Sequence, residues 1–249
     1  MDLKVKSLLI SMPEPIDGKS PYLELKDKFK IQVSFRPFIH LDPVTAKEFR
    51  QNKITIPEHT AIILTGRTTI DYLFRLLTEM RLEMPVTMKY FCASEAIALY
   101  LQKFITYRKR KVFYPKAKDS EFHEILLKHK NENYFFPRSN VNQNEISGFL
   151  KGHKLKYDEA VIYKTASSDL TDLAHVKFDI IAFFSPSDIK SLYDNFPDFK
   201  QDNTRIASFG TATGQAVRDA GLRIDIEAPT PQFPSMKMAL EEYIKKANK

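Results

Sequence analysis

Phe178 to Gly221 reads FDIIAFFSPSDIKSLYDNFPDFKQDNTRIASFGTATGQAVRDAG. Its first apolar run ends in Ser185-Pro186-Ser187. Ile189, Leu192, Tyr193 and Phe196 then recur at i, i+3, i+4 and i+7, the spacing of one helix face. A second apolar run closes on Gly210-Thr211-Ala212-Thr213, and another helix follows, stopped by Gly221 as its C-terminal glycine. Buried strands alternating with amphipathic helices predict a parallel sheet with right-handed crossovers. Hydroxyls and glycine fall at the carboxyl ends of both strands, where open α/β sheets bind ligands.

A weaker copy lies upstream. Ala61–Leu64 is a continuous apolar strand, Thr65-Gly66-Arg67-Thr68-Thr69 a polar turn, and Ile70, Leu73, Phe74 and Leu77 repeat the helical spacing at an offset of 189 − 70 = 119. Phe91-Cys92 matches Phe209-Gly210, and Ala98-Leu99 matches Ala216-Val217, at an offset of 118. An internal duplication is therefore expected.

Between the copies the pattern keeps alternating. Met88–Phe91 reads as a strand, and Cys92-Ala93-Ser94-Glu95 leads into a helix buried through Ile97, Leu101 and Phe104. Lys111–Tyr114 is the next strand, before a helix carrying Phe122, Ile125 and Leu126. Tyr134–Phe136 is a strand ending in a Pro137-Arg138-Ser139 turn; a short helix with Ile146, Phe149 and Leu150 precedes the strand Glu159–Thr165.

Toward the termini, Val5–Ser11 is a strand, Leu23–Phe29 a helix, Ile31–Phe35 a half-exposed strand, and Pro37 and Pro43 bracket an irregular passage. Arg223–Glu227 reads as a strand, and Ser235 caps a last helix with Met236, Leu240, Tyr243 and Ile244 inward. The later copy has too few strands for a doubly wound sheet, and Val5–Ser11 needs a place. The expected architecture is thus α/β, with two similar open parallel-sheet domains of flavodoxin or Rossmann type. The first is discontinuous (1–37 with 167–249) and surrounds an inserted domain (38–166). Extended connections near 36–44 and 160–170 would form a two-segment hinge.

Composition narrows the chemistry. The 249 residues are 43% hydrophobic, which is normal for a globular chain. No apolar run reaches membrane-span length, so no membrane partner is expected. One cysteine, Cys92, excludes an internal disulfide and paired-cysteine metal sites, and fits a reducing cytoplasm. It reads as a small buried residue rather than a nucleophile. No metal is expected, and neither copy shows a spare apolar face, so a monomer is expected. The net charge of +7 favours an acidic partner. Arg108-Lys109-Arg110-Lys111 reads as a solvated connection, and no nucleic-acid recognition motif is present. A polyanionic small molecule fits the charge.

Phe184-Ser185-Pro186-Ser187, Gly210-Thr211-Ala212-Thr213, Pro137-Arg138, Tyr163-Lys164-Thr165 and Ala228-Pro229-Thr230 occur in the order seen in one enzyme family. The chain resembles the uroporphyrinogen-III synthases, and the match covers most of it. The family pattern departs at three places: Ser11-Met12-Pro13 stands where T-R-P is usual, Cys92-Ala93-Ser94-Glu95 replaces G-x-x-T, and Thr65-Gly66 replaces T-S.

The resemblance implies a cofactor-independent lyase that closes hydroxymethylbilane with inversion of its last ring. It implies Tyr163 as general acid. For a substrate bearing carboxylates, the expected contacts are hydroxyls and glycines at helix starts with the basic Pro-Arg turn: Thr65, Gly66, Ser94, Arg138, Ser185, Pro186, Ser187, Gly210, Thr211, Ala212 and Thr213, of which those after Arg138 match the family pattern more closely. The alternative is a non-enzymatic two-lobed protein that binds a polyanion, in which these hydroxyls are ordinary helix caps.

Overall fold

The computed structural model describes residues 4–16, 18–116, 121–141 and 144–249. In chain order its elements begin β1 (Ser7–Ile10), α1 (Leu23–Phe29), β2 (Gln32–Phe35), β3 (Ile39–Pro43) and α2 (Ala46–Arg50). They continue with β4 (Ala61–Leu64), α3 (Arg67–Met80), β5 (Lys89–Cys92), α4 (Glu95–Leu101), β6 (Val112–Phe113), α5 (Glu121–Lys128), β7 (Tyr134–Ser139) and α6 (Asn144–Gly152). The last are β8 (Tyr157–Ser167), β9 (Ile180–Phe183), α7 (Pro186–Asn195), β10 (Arg205–Phe209), α8 (Thr211–Asp219), β11 (Ile226–Ala228) and α9 (Met236–Ala247).

The chain divides into two compact units, one discontinuous (1–40 with 166–249) and one continuous (41–165). It passes from one to the other within β3 and again within β8. One sheet has the order β11-β10-β9-β1-β2, and its pairings are parallel. The other has the order β3-β8-β7-β4-β5-β6, with parallel pairings from β8 through β6. Apolar side chains fill both faces of each, as helix-covered parallel sheets require. Leu8, Ile10 and Ala182 pack on the α1 and α9 side; Leu9, Ile181 and Phe183 pack on the α7 and α8 side. Ile62 and Ile63 divide the second sheet in the same way.

Several boundaries differ from the sequence reading. The passage bracketed by Pro37 and Pro43 contains β3, an edge strand that is mostly exposed and so carries no apolar alternation. Pro137-Arg138-Ser139 continues β7 rather than turning. The proline is tolerated because β4 pairs β7 only as far as Phe135, leaving no ladder on that side to break. β11 begins three residues later than expected, at Ile226. Phe104 lies beyond α4 and stacks on Phe74 at 4.8 Å, while Ala98 and Leu101 are the buried positions of that helix. Ala239 joins Met236, Leu240 and Ile244 on the inner face of α9, with Tyr243 only partly buried.

The duplication offset also needs correction in its second half. Strand β4 maps onto β9, and α3 onto α7, at 119. Helix starts Ser94 and Gly210, and buried Leu101 and Val217, correspond at 116 (210 − 94; 217 − 101) rather than at 118. Leu99, matched at 118, is exposed.

Candidate active site

Most of the sequence-predicted site residues lie where helices start at strand carboxyl ends: α3 after β4, α4 after β5, α7 after β9 and α8 after β10. The first N–H groups of a helix have no partner within it, and the helix dipole favours anions there. What each start does with its own donors therefore decides whether it can take a carboxylate.

In α8 the first internal bond runs from Gly214 N–H to Gly210 C=O at 3.0 Å, so the N–H groups of Thr211, Ala212 and Thr213 precede it. No side chain caps them among the described residues. Gly210 sits at φ 88°, a conformation that side chains strain. That backbone demand accounts for the glycine; a Cβ there would meet open space. Thr211 and Ala212 are exposed, whereas Thr213 is 2% exposed. Thr213 therefore offers its N–H more than its hydroxyl.

Helix α3 is built alike. Its first bond is Ile70 N–H to Gly66 C=O at 3.3 Å, and no side chain caps it among the described residues. Gly66 has an extended backbone that any residue could adopt, with Thr69 Oγ1 4.0 Å from a built Cβ. Gly66-Arg67-Thr68-Thr69 thus repeats the Gly-x-x-Thr of α8, a spacing legible in the sequence but counted there only as a polar turn. Thr65 is half-buried at the end of β4. Ser94 starts α4 without capping it, and that helix has only seven residues.

Helix α7 differs. Pro186 has no N–H, and Asp188 N–H already reaches Ser185 C=O at 3.1 Å. Asp188, 2% exposed, turns its carboxylate back over the helix start. One of its oxygens accepts from Ser11 Oγ at 2.8 Å, Phe184 N–H at 2.9 Å and Ser185 N–H at 3.0 Å. An internal anion thus occupies this helix start. Ser187 is half-buried, and the buried Ser185 Oγ makes no hydrogen bond of normal geometry among the described residues. Ser11 follows β1, so the segment with serine in place of T-R-P is tied to α7.

Tyr163 lies on β8, 8% exposed, stacked on Tyr72 with ring centroids 4.8 Å apart. Its hydroxyl is 3.5 Å from Thr69 Oγ1, which brings the tyrosine to the first turn of α3. Arg138 is turned inward to Glu159 at 3.3 Å and to Ser139 C=O at 3.2 Å. Lys164 pairs with Glu48 at 3.3 Å, and Arg36 with Asp172 at 2.9 Å. Arg67, exposed at the first position of α3, has no carboxylate partner among the described residues and lies 5.5 Å from the Tyr100 ring centre. Cys92 is buried, which pushes its thiol up to about 12 and keeps it protonated. Among the described residues no group of acidic, histidine and cysteine side chains could hold a metal ion, and no helix is long and apolar enough to cross a membrane.

The family profile described as uroporphyrinogen-III synthase HemD matches residues 21–237. The chain belongs to the uroporphyrinogen-III synthase family. The uroporphyrinogen-III synthase of Chlorobaculum parvum is 26% identical over 124 residues, which are 47% of this chain and 50% of that protein. The chain thus spans about half the length of that curated relative. Two solved synthases share the fold. The Helicobacter pylori uroporphyrinogen-III synthetase has a TM-score of 0.63 at 15% identity, covering 97% of this chain and 99% of its own. A mutant Thermus thermophilus uroporphyrinogen III synthase has a TM-score of 0.59 at 11% identity, covering 97% and 98%. At these identities the likeness is one of fold.

Proposed function

We propose that the protein is a uroporphyrinogen-III synthase, a cofactor-independent hydro-lyase that closes hydroxymethylbilane with inversion of its last pyrrole ring in tetrapyrrole biosynthesis. Membership of the family over residues 21–237 carries the reading. The uncapped starts of α3 and α8 support it, because every ring of the substrate bears carboxylates that main-chain donors and a positive net charge would hold.

In this reading the substrate hydroxyl leaves as water, taking a proton from Tyr163 and generating an azafulvene cation. The last pyrrole attacks through its substituted carbon, a spiro intermediate rearranges, and ring closure releases the proton that restores the phenol. Folding the substrate so that this carbon attacks is catalysis by orientation. Substrate contacts are assigned to Thr65, Gly66, Gly210, Thr211, Ala212 and Thr213, with Ser94, Arg138, Ser185, Pro186 and Ser187 as further contacts. Arg67 joins them as an exposed cation at the start of α3. Arg67→Ala is expected to raise KM several-fold, on the order of 1 kcal/mol of binding, with unchanged thermal stability. The chain crossings at β3 and β8 serve as the hinge of a monomeric cytoplasmic enzyme that does not use nucleic acid.

The test is product isomer analysis. Hydroxymethylbilane generated in situ is mixed with the protein, and the oxidised porphyrins are separated. Mainly type III is expected; type I alone, at the uncatalysed rate, would leave a polyanion-binding protein of this fold without the chemistry.

A further inference from the structure

The continuous unit has a recessed surface at the amino ends of β5 and β6, and therefore away from the helix starts described above. A groove of about 360 Å³ lies between the segment entering β5 and the segment entering β6. Phe74, Leu82, Met84 and Phe104 wall it, and Val86, 69% exposed, stands on its rim.

Arg108 and Lys111, the two ends of the basic run, line the same groove. Arg108, Lys109 and Arg110 are exposed, and Lys111 Nζ donates to Val86 C=O, fixing the run to the apolar rim. No carboxylate pairs with any of these four among the described residues, and Glu83 is the acidic residue in the lining. Neighbouring Lys89 is already neutralised by Glu132 at 2.5 Å. Burial, with Arg108, Arg110 and Lys89 nearby, holds the Lys111 ammonium below its usual proton affinity, as an uncompensated cluster should.

We propose that this surface docks an acidic amphipathic segment of another protein, with its apolar side chains in the groove and its carboxylates on Arg108 to Lys111. Charge complementarity selects the acidic residues, and the recessed apolar wall selects the apolar ones. A nucleic acid would leave the Leu82 and Met84 part of that wall uncovered, since bases stack on aromatic rings and Phe74 and Phe104 already stack on each other. A lipid surface calls for protruding apolar residues rather than a groove.

The probe is a fluorescein-labelled helical peptide of about 16 residues, with leucines on one face and glutamates elsewhere, titrated into the full chain by anisotropy. A scrambled peptide of the same composition is the control. The designed peptide is expected to bind at least about tenfold more tightly than the scramble. Arg108→Glu with Arg110→Glu, and separately Val86→Asp, should each weaken it by about tenfold or more, with type III porphyrin formation and thermal stability unchanged. Equal binding of the scramble, or indifference to either variant, overturns the proposal. So does a silent peptide when a single-stranded RNA or phosphatidylserine vesicle binds in a manner that depends on Arg108 and Arg110 but not on Val86.

Discussion

Helices α7 and α8 follow neighbouring strands of one sheet, yet their first turns are built in opposite ways. At the third helical position α7 has Asp188 and α8 has Thr213. Asp188 folds a carboxylate over the helix start and takes the N–H groups of Phe184 and Ser185 that lead into it; the α8 start has a glycine in place of a capping side chain and keeps three N–H groups. The sequence treats Ser185-Pro186-Ser187 and Gly210-Thr211-Ala212 as equivalent strand ends with hydroxyls. Their difference lies in who supplies the anion: the chain itself at α7 and, in the proposed function, the substrate at α8. Helix α3 sides with α8, through Gly66 and Thr69.

The sharpest way to break this contrast is to give α8 an internal anion of its own. Thr213→Asp is expected to cut type III porphyrin formation about a hundredfold, comparable to losing an anion-stabilising donor. Near-normal turnover in the isomer assay would mean that α8 takes no substrate carboxylate. Removing the anion from α7 tests the other side. Asp188→Ala strands Ser11 Oγ and two main-chain N–H groups, and should cost about 3 kcal/mol in urea unfolding. A change below about 1 kcal/mol would show that water replaces the carboxylate without penalty.

Tyr163→Phe should slow ring closure about tenfold at unchanged stability, since the ring still stacks on Tyr72 and only the weak contact to Thr69 is lost. Unchanged turnover removes the phenol from the chemistry. The smallest difference lies between the two glycines. Gly210→Ala should cost about 1–2 kcal/mol because of its positive φ, whereas Gly66→Ala, in extended backbone with room for a methyl, should stay within about 0.5 kcal/mol. Equal thermal shifts would show that the backbone at Gly210 relaxes freely.

Continuous apolar strands and 3.6-residue periodicity made β4, β9, α3 and α7 legible, because those elements are buried enough to leave a pattern. Strand β3 left none, being an edge with exposed side chains. Helix α2 does carry a local signal. Thr45 and Glu48 form a capping box, and Thr-x-x-Glu stands in the sequence. At the site, residue types at strand ends could be read, but the destination of a hydrogen bond could not. Asp188 looks like a solvated first-turn acid until Ser11, 177 positions away, is seen to donate to it. Arg138 likewise looks available until Glu159 is found beside it.

The position of β1 sets the order in which the molecule can be completed. β1 lies between β2 and β9, and Leu8 pairs with Ile180, 172 residues later (180 − 8). At about 5–20 residues per second of synthesis, β1 waits on the order of ten seconds or longer for that neighbour, while residues 41–165 emerge as one contiguous block. During that interval Leu8, Leu9 and Ile10 are held by β2 alone, and a two-stranded ribbon is marginal in water. The nascent chain thus carries an apolar strand with one open edge, so this unit is exposed to off-pathway pairing for longer than the contiguous one.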